Sequence, residues 1–258
     1  MDHHINPLAA HIQTIKRRLV VIGAAILAAL IGTFSFSGQM VAWLNRPFQN
    51  QLVFYGPTEA LFASIKVSLL AAVILSLPVI FYQCWKFVEP ALLPKEQRWA
   101  IPLFFLAAGL FALGLLFCNL VILPLVIDFF VSFGLDRDVT PQLSVGTYID
   151  FNVKFLLIFG CAFELPLVMT LLAVTGAVSA QVFARYRKHA ILSNLILAAI
   201  ITPDATLFTM LLMAVPLMAL YEIGILGARF FGRRSAGGGI DLPVDPDLPI
   251  GTAGTRLR

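Results

Sequence analysis

Apolar residues gather along the chain in six blocks, 19–36, 64–85, 101–123, 149–175, 190–202 and 207–228, separated by short gaps rich in proline and charge. Five are about as long as the ~20 residues that a helix needs to cross a bilayer. A spanning β-barrel would show ~10-residue stretches of alternating polarity instead, so each block is predicted to be a helix. The fifth block is the exception. Its 13 residues reach ~20 Å at ~1.5 Å per residue, against a hydrocarbon core of ~30 Å. With Thr202-Pro203-Asp204 turning the chain after it, the last two helices should form a shallow hairpin, leaving one wall of the bundle low.

The gaps carry their own signals. Residues 2–18 form a lead-in whose apolar positions recur at helical spacing from Leu8 to Leu19. After the first block, QMVAWLNRPF is predicted to be a short amphipathic helix stopped by Pro47, with Trp43 and Phe48 at the interface. Residues 51–55 read as extended, Gly56-Pro57 as a turn, and Thr58 as the N-cap of the second helix with Glu59 in its first turn. Pro78 predicts a kink in that helix. The segment KFVEPALLPKEQRWA, residues 86–100, is held bent by Pro90 and Pro94. The third helix is expected to end near Pro124, before a separate amphipathic piece at 126–133. Ser179 should cap a short helix, AQVFARYRKHA. Beyond Gly232, glycine and proline abound and no core pattern remains, which predicts disorder.

Composition changes the class but not the elements. Apolar residues make up 59% of the chain and charged ones 12%, with a mean hydropathy of +0.90, where a soluble domain has roughly a quarter charged. All but four of the 18 Lys and Arg fall in one set of alternate gaps; the four are Arg46, Lys66, Arg137 and Lys154. The positive-inside rule then places both termini in the cytoplasm and requires an even number of crossings. The expected fold is an all-α polytopic membrane protein with six transmembrane helices, a concave bundle with a short fifth/sixth hairpin. Three regions follow: a lead-in at 1–18, the membrane domain at 19–228 and a tail at 229–258. The positive charge reflects topology, and no basic stretch interleaved with aromatics suggests nucleic acid. Arg17-Arg18 before an apolar run could pass for an export signal, but the run is long for a signal core and five more blocks follow, so it reads as a retained first helix.

Candidate chemistry centres on Glu164, a carboxylate in the middle of the fourth block, FGCAFELPLV. Facing lipid as an ion it would cost at least ~2.5 kcal/mol, so it must be neutral, paired, or turned to a bundle interior or wet cavity. It either bonds a neighbouring helix for packing or marks a working site; Pro166 beside it favours a kink. Glu89 and Glu96 lie in the first cytoplasmic gap. Glu96 also suits the first turn of the third helix, where the dipole favours its charge. Glu222 is expected to pair with Arg185 or Lys188. Cys84, Cys118 and Cys161 lack any CxxC pattern and read as buried small residues, and no metal site is expected from them or from His3 and His4. No P-loop, GxSxG or HExxH occurs, which argues against an enzyme and against bound nucleotide. No inverted repeat marks a small-solute transporter.

These stretches together resemble the TatC family, the twin-arginine protein translocase subunit, over about residues 7–230. The resemblance is carried by PLAAHIQTIKRRL, PVIFYQCWKFVEPALLPKEQR, FGCAFELPLV, YRKHAI, ITPD and AVPLMALYEIGILGAR, in this order. It implies a receptor in the bacterial cytoplasmic (inner) membrane that binds twin-arginine signal peptides at its cytoplasmic face. With TatA/TatB-type single-span subunits, other TatC copies and membrane lipid, it would export folded proteins using the proton-motive force, with no cofactor, metal or nucleic acid. It further implies that Phe87, Pro90 and Glu96, with Lys16 on the lead-in, form the signal-binding surface, that Glu164 is the family's intramembrane acid, and that Pro47 and Asp204 belong to the outer cap and outer turn. Carboxylates suit that task, because they bind guanidinium in bidentate geometry. This chain departs from the pattern in two places: Thr14 stands where a second lead-in acid is usual, and Phe208 where a polar residue is. Glu89 is expected to supply the missing charge.

Overall fold

The computed structural model of the protein describes residues 7–44, 53, 55–89, 100–135, 144–201 and 207–232. Among them, ten α-helices and one π-helical turn account for nearly everything, and the sole β feature is a bridge between Val53 and Ser144. Five helical stretches are long and apolar enough to cross a membrane: Gln13–Phe34, Pro57–Phe87, Ile101–Ser132, Val145–Val174 and Phe208–Phe231. The fifth block, α9 (Arg187–Ile201), is a helix of 15 residues, or ~22 Å, and stays short of a full crossing.

Helix α1 (Pro7–Phe34) runs unbroken from the lead-in into the first span and rests chiefly on α3 (Pro57–Val88). Their contact includes a buried hydrogen bond from Thr33 Oγ1 to the Ser68 carbonyl, 2.9 Å. Between them, α2 (Ser37–Leu44) is the short helix read from QMVAWLNRPF. Helix α3 begins two residues earlier than Thr58 would allow as its cap. Gly56 is the N-cap and Pro57 the first helical residue, because proline's fixed φ and missing donor cost nothing there.

The third span does not stop near Pro124. Helix α4 (Ala100–Phe117) passes through a π turn, Cys118–Ile122, straight into α5 (Leu123–Leu135). Pro124 cannot donate to the carbonyl four residues before it, and the widened turn just upstream absorbs that defect without ending the helix. The fourth span starts at Val145, ahead of the apolar block, because Ser144 caps it: the Thr147 amide donates to Ser144 Oγ at 3.3 Å. It comprises α6 (Val145–Phe163) and α7 (Leu165–Val174), broken at Glu164. Gly176, at φ 77°, ends α7, and α8 (Ala180–Arg185) follows. Ser179 stands at its N-cap position but makes no side-chain cap bond, and Tyr186 separates it from α9. Helix α10 (Leu207–Phe231) closes the chain, packing most extensively on α7 and then on α9.

Lipid tails are as apolar as leucine, so close packing and small residues hold such a bundle together more than burial does. The centre is α6, whose Val145, Ile149, Phe155 and Phe159 are fully enclosed by α3, α4 and the π turn. Glycines let the backbones meet. A Cβ on Gly114 would lie 2.6 Å from the Phe159 carbonyl, and one on Gly160 would lie 2.7 Å from the Phe111 ring, so α4 and α6 interlock reciprocally.

Candidate functional site: an apolar groove with one half-buried acid

Glu164 is the joint of the fourth span. Its φ and ψ, −76° and −19°, still lie in the helical region, but its amide turns to the Cys161 carbonyl at 3.2 Å, one residue short of helical register. Pro166 forces this, since it brings no donor for Ala162 and restricts Leu165 before it. The acid therefore sits on a bend ~28 Å from the start of α6 and ~15 Å from the end of α7.

The bend turns the side chain into a groove of about 800 Å³ lined by α1, α3, α4 and α7. Its walls include Leu19, Phe81, Phe104, Leu167 and Leu171, and Glu164 is the one carboxylate among the lining residues. Glu164 Oε1 is buried and has no hydrogen-bond partner among the described residues. The mouth is held by Arg18, whose guanidinium donates to the Gln83 carbonyl at 3.3 Å and lies 5.8 Å from the centre of the Phe87 ring. No residue of α9 or α10 lines this groove. The recess expected beside the shallow hairpin is thus on the opposite side of α7. The reason is packing: Pro166, Met169 and Ala173 are buried, and a Cβ on Gly224 of α10 would lie 2.5 Å from Met169 Sδ. With that face filled, Glu164 and Leu171 must look toward α1, α3 and α4.

Of the residues singled out from the sequence, Phe87 and Glu164 belong to the groove, and Phe87 is 48% exposed at its mouth. Lys16 is exposed on α1, two residues before Arg18. Glu89 is half-buried at the C-terminal end of α3, its amide bonded to the Trp85 carbonyl. Glu96, Pro90, Pro47 and Asp204 lie outside the described residues, as does the tail from 233 onward. Phe208 is exposed and stacks on Phe129, ring centres 4.1 Å apart. Glu222 pairs with Arg187 at 2.8 Å, neither with Arg185 nor with Lys188, because Arg187 opens α9 while Arg185 closes α8. Cys118 is buried as expected, but Cys84 and Cys161 are exposed, and Cys84 lines the groove.

Two features escaped the sequence reading. In the sequence Arg18 is one of three adjacent cations at the start of the first span, and nothing in a row of Lys-Arg-Arg says which one folds back on the second helix. At the opposite end of α3 from Phe87, Glu59 accepts the amides of Tyr55 (2.8 Å) and Gly146 (2.7 Å) and the Ser144 hydroxyl, tying the start of α3 to the start of α6. Tyr148 Oη adds a buried bond to the Leu44 carbonyl, 3.2 Å, which anchors α2 to the same junction. A pattern of single residues cannot show that two helix starts 88 residues apart meet.

Five helical stretches long and apolar enough to cross a membrane, packed into a bundle with an apolar groove that holds a half-buried acid, define a multi-span α-helical membrane protein. The comparisons give the family. The model for the Sec-independent protein translocase protein TatC matches residues 10–216. The chain is similar to the TatC protein of Aquifex aeolicus, 38% identical over 237 residues, covering 88% of this chain and 97% of that one. It is also similar to that of Helicobacter pylori strain J99, 34% identical over 222 residues, covering 86% and 88%. A crystal structure of the twin-arginine translocase receptor TatC superimposes with a TM-score of 0.79 at 37% identity, covering 86% of this chain and 99% of that one. The chain belongs to the TatC family. It is a translocase subunit, a transport component rather than an enzyme.

Proposed function

We propose that this chain is the receptor and core subunit of a twin-arginine translocase. Paired arginines of a signal peptide would be read at the cytoplasmic end of α3 by Glu96, Glu89, Phe87 and Pro90, with Lys16 on the lead-in beside them. The apolar part of the signal would then lie in the groove that ends at Glu164. One observation carries this reading: an acid with an unpartnered buried oxygen faces an apolar groove whose mouth is Phe87. A helix ~10 Å across takes ~420 Å³ per turn, so about 800 Å³ admits roughly two turns of a peptide helix, more than an ion needs. Phe87 belongs to both parts of this surface and makes them continuous.

In this reading both termini face the cytoplasm of a bacterial inner membrane, the lead-in and the tail flank the membrane domain, and Pro47 and Asp204 lie outside. The partners are single-span subunits of the TatA/TatB type and further copies of this chain, and the proton-motive force supplies the energy. The test is photo-crosslinking of a paired-arginine signal peptide to probes at Phe87 and Val168. We expect adducts at both positions, lost when the paired arginines become lysines. Adducts only at outer positions such as Trp43 would overturn the assignment.

A further inference from the structure

At the outer ends of α3 and α6, three charged side chains meet. Lys66 Nζ lies 2.7 Å from Asp150 Oδ1, and Lys154 Nζ lies 2.7 Å from Asp150 Oδ2. Each carboxylate oxygen takes one ammonium, so two cations share a single anion and the cluster keeps one positive charge. An ammonium has three donors, and Asp150 uses one of each. The side chains of Lys66 and Lys154 are 40% and 56% exposed, so the remaining donors have room. Around them the surface is apolar and outward-facing, with Phe62, Ile65 and Leu69 exposed on α3.

Depth decides what could answer that charge. The spans Pro57–Phe87 and Val145–Val174 are 31 and 30 residues long. At ~1.5 Å per residue each is ~45 Å, so a centred ~30 Å core leaves ~8 Å at each end. Asp150 then falls at the core boundary, with Lys66 and Lys154 ~6 Å inside it. Lysine stems of that length carry the ammonium back to the boundary. Bulk water does not cover this level; phospholipid headgroups do.

We propose that Lys66 and Lys154, bridged by Asp150, form a binding site for the phosphodiester of an anionic phospholipid in the membrane leaflet at the start of α3 and α6. The carboxylate holds the two ammoniums a fixed distance apart, and the phosphate oxygens take the donors that Asp150 leaves. The function proposed above enters only in naming that leaflet the outer one.

The test uses the full chain in nanodiscs of equal parts dioleoylphosphatidylglycerol and dioleoylphosphatidylcholine, with bound lipid read by native mass spectrometry. The wild-type chain should retain the glycerol lipid in excess. Lys154→Gln keeps the Lys66–Asp150 pair but cancels the surplus charge, and should lower that excess roughly fivefold, as expected for one cation near a membrane surface. Lys154→Arg should restore it. No excess in the wild-type chain, or an equal excess in a folded Lys154→Gln, overturns the proposal. So does displacement of the lipid by millimolar inorganic phosphate, which would mark a free-anion site. Loss of a co-purifying subunit with lipid retention unchanged would assign the lysines to an acidic protein partner instead. None of these readouts involves a signal peptide, so the outcome is independent of crosslinking at Phe87.

Discussion

Replacing Glu164 by leucine separates a working acid from a packing one. The two side chains are similar in size, so the groove wall at the α6–α7 joint stays filled. What changes is polarity: Oε1 is buried without a partner, and a buried unsatisfied oxygen costs about 1–3 kcal/mol. The substitution removes that cost, and the Pro166 bend remains because the proline imposes it. We therefore expect Glu164→Leu to stabilise the chain by about 1–3 kcal/mol while abolishing export. Glu164→Gln retains an unpaired polar group and should leave stability near wild type. Stability is read from the denaturation midpoint in detergent, and function from export of a folded reporter behind a paired-arginine signal in a strain lacking the chromosomal gene. A packing acid predicts the reverse on both axes. If Glu164→Leu unfolds about 1 kcal/mol more easily and still exports the reporter, the acid serves the bundle and the groove reading falls.

Other outcomes follow from the same packing. Gly224→Val pushes a branched side chain toward Met169 and toward Pro166 Cα, which a Cβ already approaches at 3.2 Å; the methionine can move and the proline backbone cannot. It should cost about 1–3 kcal/mol, read as a lower unfolding midpoint, and an unchanged midpoint would contradict the tight α7–α10 contact. Tyr148→Phe removes the hydrogen bond to the Leu44 carbonyl and should cost about 1 kcal/mol while speeding protease cleavage between residues 45 and 56; equal cleavage rates would show that α2 is held by other contacts. Arg187→Ala breaks a 2.8 Å pair with Glu222, but both side chains are about half exposed, at 43% and 50%. Such pairs are worth at most ~1 kcal/mol, so the midpoint should barely move, and a large drop would mean that Arg187 carries packing as well as charge.

Much of this protein could be read without coordinates, because a bilayer imposes its rules locally. Each span must satisfy its own backbone, so apolar length alone announced the helices, and counting residues was enough to show that the block at 190–202 yields a helix too short to cross. Glu164 stood out for the same reason, as a carboxylate with no surface within reach. Boundaries were less legible where neighbouring turns compensate one another. Pro124 looked like a terminus, yet the π turn before it lets the helix continue, and Ser144 began the fourth span earlier than its apolar residues suggested. What the chain could not declare was direction. That Glu164 opens toward α1, α3 and α4, and not toward the last hairpin, depends on α10 packing closely on the other face of α7, where Gly224 and Gly227 leave room for Met169 and Thr170. That Arg18 rather than its neighbours guards the mouth, and that Lys66, Asp150 and Lys154 converge, depends on helices whose residues lie 65 to 88 positions apart coming side by side. Sequence spacing sets the face a residue occupies on its own helix, but only the contacts between helices decide which faces meet.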